Sequence, residues 1–155
     1  MTESTERFKL KSAVYVLMRR GEEILLLQRK NTGYQDGNYG LPSGHMDGGE
    51  LATHAAAREA KEETGVTINP ADLKFVHATH RLDAGISSER VEFFFEATKW
   101  QGEPVNAEPE KCSDLAWFSV AELPATTIPL VRRVIQLSDK GVRYSEYAVE
   151  LAGLE

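Results

Sequence analysis

Gly44-His-Met-Asp-Gly-Gly-Glu50, followed seven residues later by Arg58-Glu-Ala-Lys-Glu-Glu-Thr-Gly-Val66, is the stretch on which the reading turns. Leu51 to Thr64 has the pattern of a helix, and Gly65 stands where a left-handed residue ends one. On that helix Glu59, Glu62 and Glu63 fall at i, i+3 and i+4, so their side chains project from neighbouring positions. Three carboxylates that close repel one another, and Arg58 offsets only part of the repulsion through its i, i+4 relation to Glu62. Hard divalent ions such as Mg²⁺ or Mn²⁺ supply the missing positive charge and prefer oxygen ligands. Gly44, Gly48 and Gly49 allow a tight loop before the helix, where backbone carbonyls can add ligands. A Glu-rich helix is more often a solvated surface.

Working outward, Phe8 to Met18 reads as a first strand and Ile24 to Arg29 as a second, with Arg19-Arg20-Gly21-Glu22 as the turn between them. Asn31 to Asn38 is a polar loop, and Pro42 interrupts any regular element between Tyr39 and Gly49. Ala52, Ala55, Ala56 and Ala60 share one side of the helix and let it pack close to a sheet. Leu73 to His80 and Val91 to Trp100 are strands, with Ser87-Ser88-Glu89 in their connection. Leu115 to Ser119 is a short strand, Val120 to Leu123 a helical turn, and Pro129 to Leu137 a helix with proline in its first turn. The tail from Val142 is open. This order gives an α/β architecture, a mixed sheet between helices.

The quoted stretch resembles the Nudix box: Gly, five residues, Glu, seven residues, Arg-Glu, an aliphatic, any residue, Glu-Glu, any residue, Gly, an aliphatic. Gly44, Glu50, Arg58, Glu59, Glu62, Glu63, Gly65 and Val66 fall at the required offsets, and Ala60 is smaller than the usual aliphatic. The resemblance spans about residues 8 to 138 and implies an α/β/α sandwich in which the box forms a loop–helix–loop. By position it implies Glu59, Glu62 and Glu63 as metal ligands, with the backbone carbonyl of Ser43 or Gly44 as a further one. It implies Glu50 and Arg58 as an ionic link fixing the loop to the helix. Trp100-Gln-Gly-Glu-Pro104 resembles a MutT-type stretch, and counting onward implies Glu108, with Glu110 as competitor, for metal ligation or water activation. Within the box Glu59 or Glu62 is the general base.

The family hydrolyses a nucleoside diphosphate linked to a group X, which implies a Mg²⁺ or Mn²⁺ cofactor and a small-molecule nucleotide substrate. The first expectation is a (d)NTP or modified nucleotide cleaved to the monophosphate and pyrophosphate; the alternatives are an ADP-ribose or nucleotide-sugar pyrophosphatase and a non-catalytic nucleotide-binding module. Arg29 matches a basic position that reaches substrate, and Leu41 is assigned to the same expected substrate site. Thr126 and Thr127 occupy the region where MutT-type members carry a purine-reading asparagine, whose paired amide donor and acceptor threonine lacks. His45 and His54 flank the loop but are poor ligands for oxygen-seeking ions, and His77, His80 and Arg81 either face the cleft or lie on the surface. Trp100 and Trp117 are read as core, and Cys112 as a structural bystander.

At 155 residues the chain fits one domain, spanning 1–155. With 41% hydrophobic and 27% charged residues it has ordinary globular composition, and no run approaches the roughly 18 apolar residues of a membrane span. A net charge of −6 argues against non-specific nucleic-acid binding through a basic face. The polar start, Met1 to Arg7, is unlike a secretory signal, and a single cysteine excludes an internal disulfide. The expectation is cytoplasmic, without membrane or nucleic-acid partners, as a monomer or homodimer through Tyr144, Tyr147 and Leu151.

Overall fold

Strands that are apolar at nearly every position are strands covered on both faces, and alternation along each one sorts its side chains between the two. The computed structural model describes residues 6–82 and 89–148. In chain order these form β1 (Lys11–Arg20), β2 (Glu23–Arg29), β3 (Tyr39–Gly40), β4 (Ser43–His45), α1 (Ala52–Thr64), a 3-10 turn (Pro70–Asp72), β5 (Lys74–Leu82), β6 (Arg90–Ala97), β7 (Cys112–Ser119), α2 (Pro129–Asp139) and β8 (Tyr144–Ala148). β1 sends Val14, Val16 and Met18 to one face, and β2 adds Leu25 and Leu27. Leu17, Ile24 and Leu26 go to the other, joined by Phe94 of β6.

Each face has its own helix. Ala55, Ala56 and Ala60 of α1, all fully buried, close the first cluster. Their small side chains bring the helix backbone close to the sheet, which fixes how deeply its acidic edge sits. Leu130, Val131, Val134 and Ile135 of α2 close the second cluster. Burying such aliphatic side chains stabilises the fold by about 1.5–3 kcal/mol each. The result is the α/β/α layering that the resemblance implies.

The sheet runs β3-β2-β1-β6-β5-β8 among the described residues, with β4 also on β1 and β7 on β2. It is mixed: β1 pairs parallel with β6 from Lys11↔Arg90 to Met18↔Ala97, while β5 pairs antiparallel with β6. β4 lies antiparallel on β1 through Ala13↔His45, Val14↔Gly44 and Tyr15↔Ser43. That pairing anchors the loop leading into α1 against the centre of the sheet.

Several boundaries differ from the sequence reading. β1 starts at Lys11, leaves Phe8 69% exposed and runs on through Arg19 and Arg20, so the turn contracts to Gly21 and Glu22. Pro42 does not exclude regular structure: β3 and β4 lie on either side of it. Val120 to Glu122 is a single hydrogen-bonded turn that does not extend into a helix, with the Val120 amide donating to the Glu22 carbonyl and the Glu122 amide to that of Ser119. The open tail is a strand, β8, parallel to β5 at the sheet edge. Tyr147 is buried in the second cluster, whereas Tyr144 is 53% exposed. Ser87, Ser88 and Leu151 lie outside the described residues. No helix of the described residues is long and apolar enough to cross a membrane.

Candidate active site

α1 ends at Gly65, whose φ of 79° and N–H to the Lys61 carbonyl close the last turn. The acids of its last turns lie over β4, and the contact there is tight. A Cβ built on Gly44 would stand 2.1 Å from Cδ of Glu59, so only glycine lets that carboxylate rest on the β4 backbone. One residue earlier, the Ser43 amide donates to Oε2 of Glu63 at 3.0 Å.

Arg58 ties the entering loop to the helix. Its Nη2 and Nε donate to the two oxygens of Glu50 at 2.8 and 3.2 Å, and Nη2 also reaches the His45 carbonyl at 3.2 Å. The Asp47 amide donates to Oε1 of Glu50 at 2.9 Å. The Arg58 guanidinium and that amide together hold the Glu50 carboxyl below its usual range. From its other nitrogen, Nη1, Arg58 donates to Glu59 at 2.8 Å and to Glu62 at 3.4 Å. The Glu50–Arg58 link implied by the sequence is thus present as a two-point ion pair, one of the stronger side-chain geometries.

The remaining carboxylates are less well balanced. Burial pushes Glu63 up to about 8, with the Glu59 and Glu108 charges adding to the rise and the Ser43 N–H opposing it. Glu59 is raised too, chiefly by burial. Glu108 comes from a separate segment, the turn before β7, where its carbonyl accepts the amides of Lys111 and Cys112. Its side chain lines the same cleft as Glu59, Glu62 and Glu63; Glu110, the alternative, does not line it and uses its carbonyl to accept from Asn31 Nδ2.

The cleft has a volume of about 750 Å³. Ser43 and Gly44 line it beside the four glutamates, so the wall offers carboxylate and carbonyl oxygens, the donor set of a hard divalent ion. Among the described residues no three His, Cys, Asp or Glu side chains close up into a finished ligand set as they stand. Arg58 bridges Glu59 and Glu62 instead. The fit is nevertheless good: Glu62 is 51% exposed and can rotate, while half-buried Glu63 has one N–H partner and gains from further positive charge.

The cleft is also lined by Arg29 and Leu41, the expected substrate-binding residues. Arg29 is engaged, however: Nε donates to the Tyr34 carbonyl at 2.6 Å, Nη2 to Thr32 Oγ1 at 3.0 Å, and the guanidinium lies 5.3 Å from the Tyr34 ring centre. Thr126 and Thr127 do not line the cleft. Their segment pairs with Tyr39, and the Thr127 hydroxyl, 4% exposed, donates to the Pro124 carbonyl. Trp100 and Trp117 stack on each other against the first core cluster. Cys112 is buried at the cleft lining, donating to the Asp114 carbonyl.

His77 and Arg81, read as cleft or surface residues, are interior. His77 is fully buried between the Val142 carbonyl at 2.8 Å and Ser145 Oγ at 2.7 Å, fastening β8 to β5. Arg81, 2% exposed, pairs with fully buried Glu92 at 2.9 Å. Tyr15 and Tyr34, missed in the sequence, also line the cleft. Tyr15 carried a faint signal as a hydroxyl inside the apolar run of β1; Tyr34, in a polar loop, carried none.

A family model described as the NUDIX domain matches residues 9–137. The chain is 29% identical over 120 residues to the NAD-capped RNA hydrolase NudC of Stutzerimonas stutzeri, covering 76% of this chain and 39% of that protein. It is 29% identical over 142 residues to a putative 8-oxo-dGTP diphosphatase of Bacillus subtilis, covering 92% and 88%. It therefore spans about two-fifths of the first of these relatives and most of the second. A MutT NUDIX hydrolase from Burkholderia pseudomallei superposes with a TM-score of 0.75 at 26% identity, covering 83% of this chain and 97% of that one. A NUDIX hydrolase from Nitrosomonas europaea, at 24% identity and TM-score 0.73, covers 92% and 95% and shares the fold. With the box, its loop–helix geometry and a family model spanning most of the residues in agreement, the chain belongs to the Nudix hydrolase family.

Proposed function

We propose that this chain is a single domain that hydrolyses a phosphoanhydride bond in a nucleoside diphosphate linked to X, with a divalent cation as cofactor. The observation that carries this is the meeting of Glu108 with Glu59, Glu62 and Glu63 in the lining of one cleft, from segments far apart in the chain. Such a gathering of like charge costs stability and has no role in packing. Glu59, Glu62, Glu63 and a carbonyl of Ser43 or Gly44 would hold Mg²⁺ or Mn²⁺, with Glu108 as the partner from outside the box. Bound there, the ion supplies positive charge for the diphosphate oxygens and lowers the pKa of a water.

The chain's own groups do the rest. Arg58 and Glu50 lock the loop to the helix, so the carboxylates keep their height relative to the β4 backbone. Glu59 or Glu62 takes the proton from the attacking water. Leu41 and Arg29 border the space beyond the phosphates. The leading substrates are (d)NTPs or modified nucleotides, in keeping with the diphosphatase relative that this chain nearly matches in length. A dinucleotide is the second reading, supported by relatives named as NAD-capped RNA hydrolases. We place it in the cytoplasm, whose reducing conditions suit a chain with the single cysteine Cys112.

The test is phosphate and pyrophosphate release with Mg²⁺ across NTPs, dNTPs, oxidised nucleotides, NAD⁺, ADP-ribose and nucleotide sugars. Turnover of one class, lost in Glu62→Gln, is expected. Equal rates in wild type and Glu62→Gln would overturn the assignment of the acidic wall.

A further inference from the structure

Behind the cleft lining, a buried ion pair touches two tyrosine hydroxyls. Glu92 of β6 has both oxygens engaged: Oε2 accepts from the Tyr15 hydroxyl in a short hydrogen bond, and Oε1 accepts from Thr79 Oγ1 at 3.0 Å and faces Arg81 Nε at 2.9 Å. Arg81 also donates from Nη1 towards the Tyr34 hydroxyl at 3.5 Å. Tyr15 is backed by Phe94, stacked at 4.4 Å between ring centres. Tyr34 sits on a loop made rigid by Asp36, which accepts from the Thr32 and Gly33 amides and the Thr32 hydroxyl, and Arg29 pins the Tyr34 carbonyl. Both tyrosines line the cleft.

These bonds set a polarity. The Tyr15 proton is committed to Glu92, so its oxygen has only lone pairs left to offer. The Tyr34 oxygen accepts from Arg81, so its proton is left to donate. A hydroxyl with no fixed partner rotates and serves either role, but Tyr15, whose proton goes to Glu92, cannot donate elsewhere. The cleft thus presents one fixed acceptor, Tyr15, and one hydroxyl with its proton available, Tyr34.

We propose that the Arg81–Glu92 pair is a positioning device that makes Tyr15 and Tyr34 the specificity residues of the cleft, reading a flat group that carries a donor beside an acceptor. This rests on the proposed function in taking the cleft as the nucleotide site. The matching chemistry is an amide-type edge: a ring N–H beside a carbonyl in a nucleobase, or the carboxamide of a nicotinamide. Sugars present rotating hydroxyls and gain little from fixed polarity. A site built around such bonds rejects analogues that lack them, because its own buried polar groups are then unpaired.

Binding, measured by calorimetry in the presence of EDTA, separates this from catalysis. The probes are GMP against purine riboside monophosphate, which lacks the ring N–H and the exocyclic groups, and nicotinamide mononucleotide against nicotinic acid mononucleotide, which lacks the amide donor. One amide-bearing ligand is expected to bind about tenfold tighter than its counterpart. The pair that shows the preference identifies the source of the edge. Tyr34→Phe should shrink that ratio severalfold while leaving the thermal midpoint near wild type; Tyr15→Phe should shrink it too, with a lower midpoint because buried Glu92 loses a donor. Glu92→Gln should shrink it through Tyr15. Absence of preference in wild type, or a ratio unchanged in both Phe variants, overturns the proposal. Preference without hydrolysis of any nucleotide would remove the proposed function and leave this inference standing.

Discussion

Two places in this molecule put glutamate where water is scarce, and they solve the problem in opposite ways. Glu92 lies fully buried in the sheet with Arg81, Thr79 and Tyr15 around it, so its charge is answered inside the fold. Glu63, on α1, has the Ser43 amide on one side and the charges of Glu59 and Glu108 nearby. A carboxylate balanced by its own fold is part of the scaffold. One left unbalanced at a cleft wall is prepared for a cation that the scaffold does not contain. The two regions should therefore separate under mutation, one affecting turnover and the other stability.

The largest effect is expected from Glu62→Gln. Turnover should fall by about 10²–10⁴-fold, the range for losing a positioned acid–base group. Stability should hold or rise slightly, since one like charge leaves the helix face. Steady-state kinetics beside thermal denaturation measures both; a large loss of stability would place Glu62 with Glu92 in the scaffold.

Glu92→Gln should act first on stability, beyond its effect on ligand preference through Tyr15. It removes the Glu92 carboxylate from beside the buried Arg81 guanidinium, and breaking one partner of a buried pair costs about 3–5 kcal/mol. The thermal midpoint should drop by roughly 10 °C or more for a chain of this size. A shift of a degree or two would mean that water reaches the pair and that the sheet interior is not dry there.

A gentler probe is pH. The Glu63 carboxyl is raised from 4.5 to about 8, mostly by burial, so the folded state keeps a proton that the unfolded chain releases in between. Protons bound only by the folded state make stability fall as pH rises. The loss should run from about pH 4.5 to about 8, with a slope of up to ~1.4 kcal/mol per pH unit from this group. Thermal midpoints taken in EDTA across that window should slope downward in wild type and flatten in Glu63→Gln. An equal slope in both would show that the Glu63 charge is already compensated.

The first region was readable in the sequence and the second was not, for a physical reason. Glu59, Glu62 and Glu63 are close because a helix makes them so, and local geometry follows from local sequence. The same holds for the Gly65 stop and for the alternating apolar positions of β1 and β2. Glu92 and Arg81 are partners only because β5 and β6 pair in one register, which places Thr79 opposite Glu92. A lone charge in a strand normally points to water, so nothing in Arg90-Val-Glu-Phe-Phe-Phe-Glu-Ala97 announces an interior acid. β8 was hidden likewise: its partner β5 is remote in sequence, and its burial rests on Tyr147. Glu108 could be counted to from the Trp100 stretch, but its meeting with α1 is tertiary.

The smallest effect belongs to a hydroxyl outside both regions. Thr127 was assigned to substrate because of where it falls in the chain, yet its hydroxyl donates to the Pro124 carbonyl at 2.7 Å, away from the cleft lining. That carbonyl also accepts the Thr127 amide at 2.9 Å and Arg132 Nη2 at 2.6 Å. Thr127→Val keeps the side-chain shape and leaves the acceptor with two partners, so no buried group is orphaned. The cost should stay at or below about 1 kcal/mol, the net worth of one ordinary hydrogen bond, seen as a midpoint shift of about 2–4 °C at most. Ratios of kcat/KM between substrates should not move. A change in those ratios would bring the Thr126–Thr127 segment back to the substrate and show that the cleft extends past Tyr39 when a nucleotide is bound.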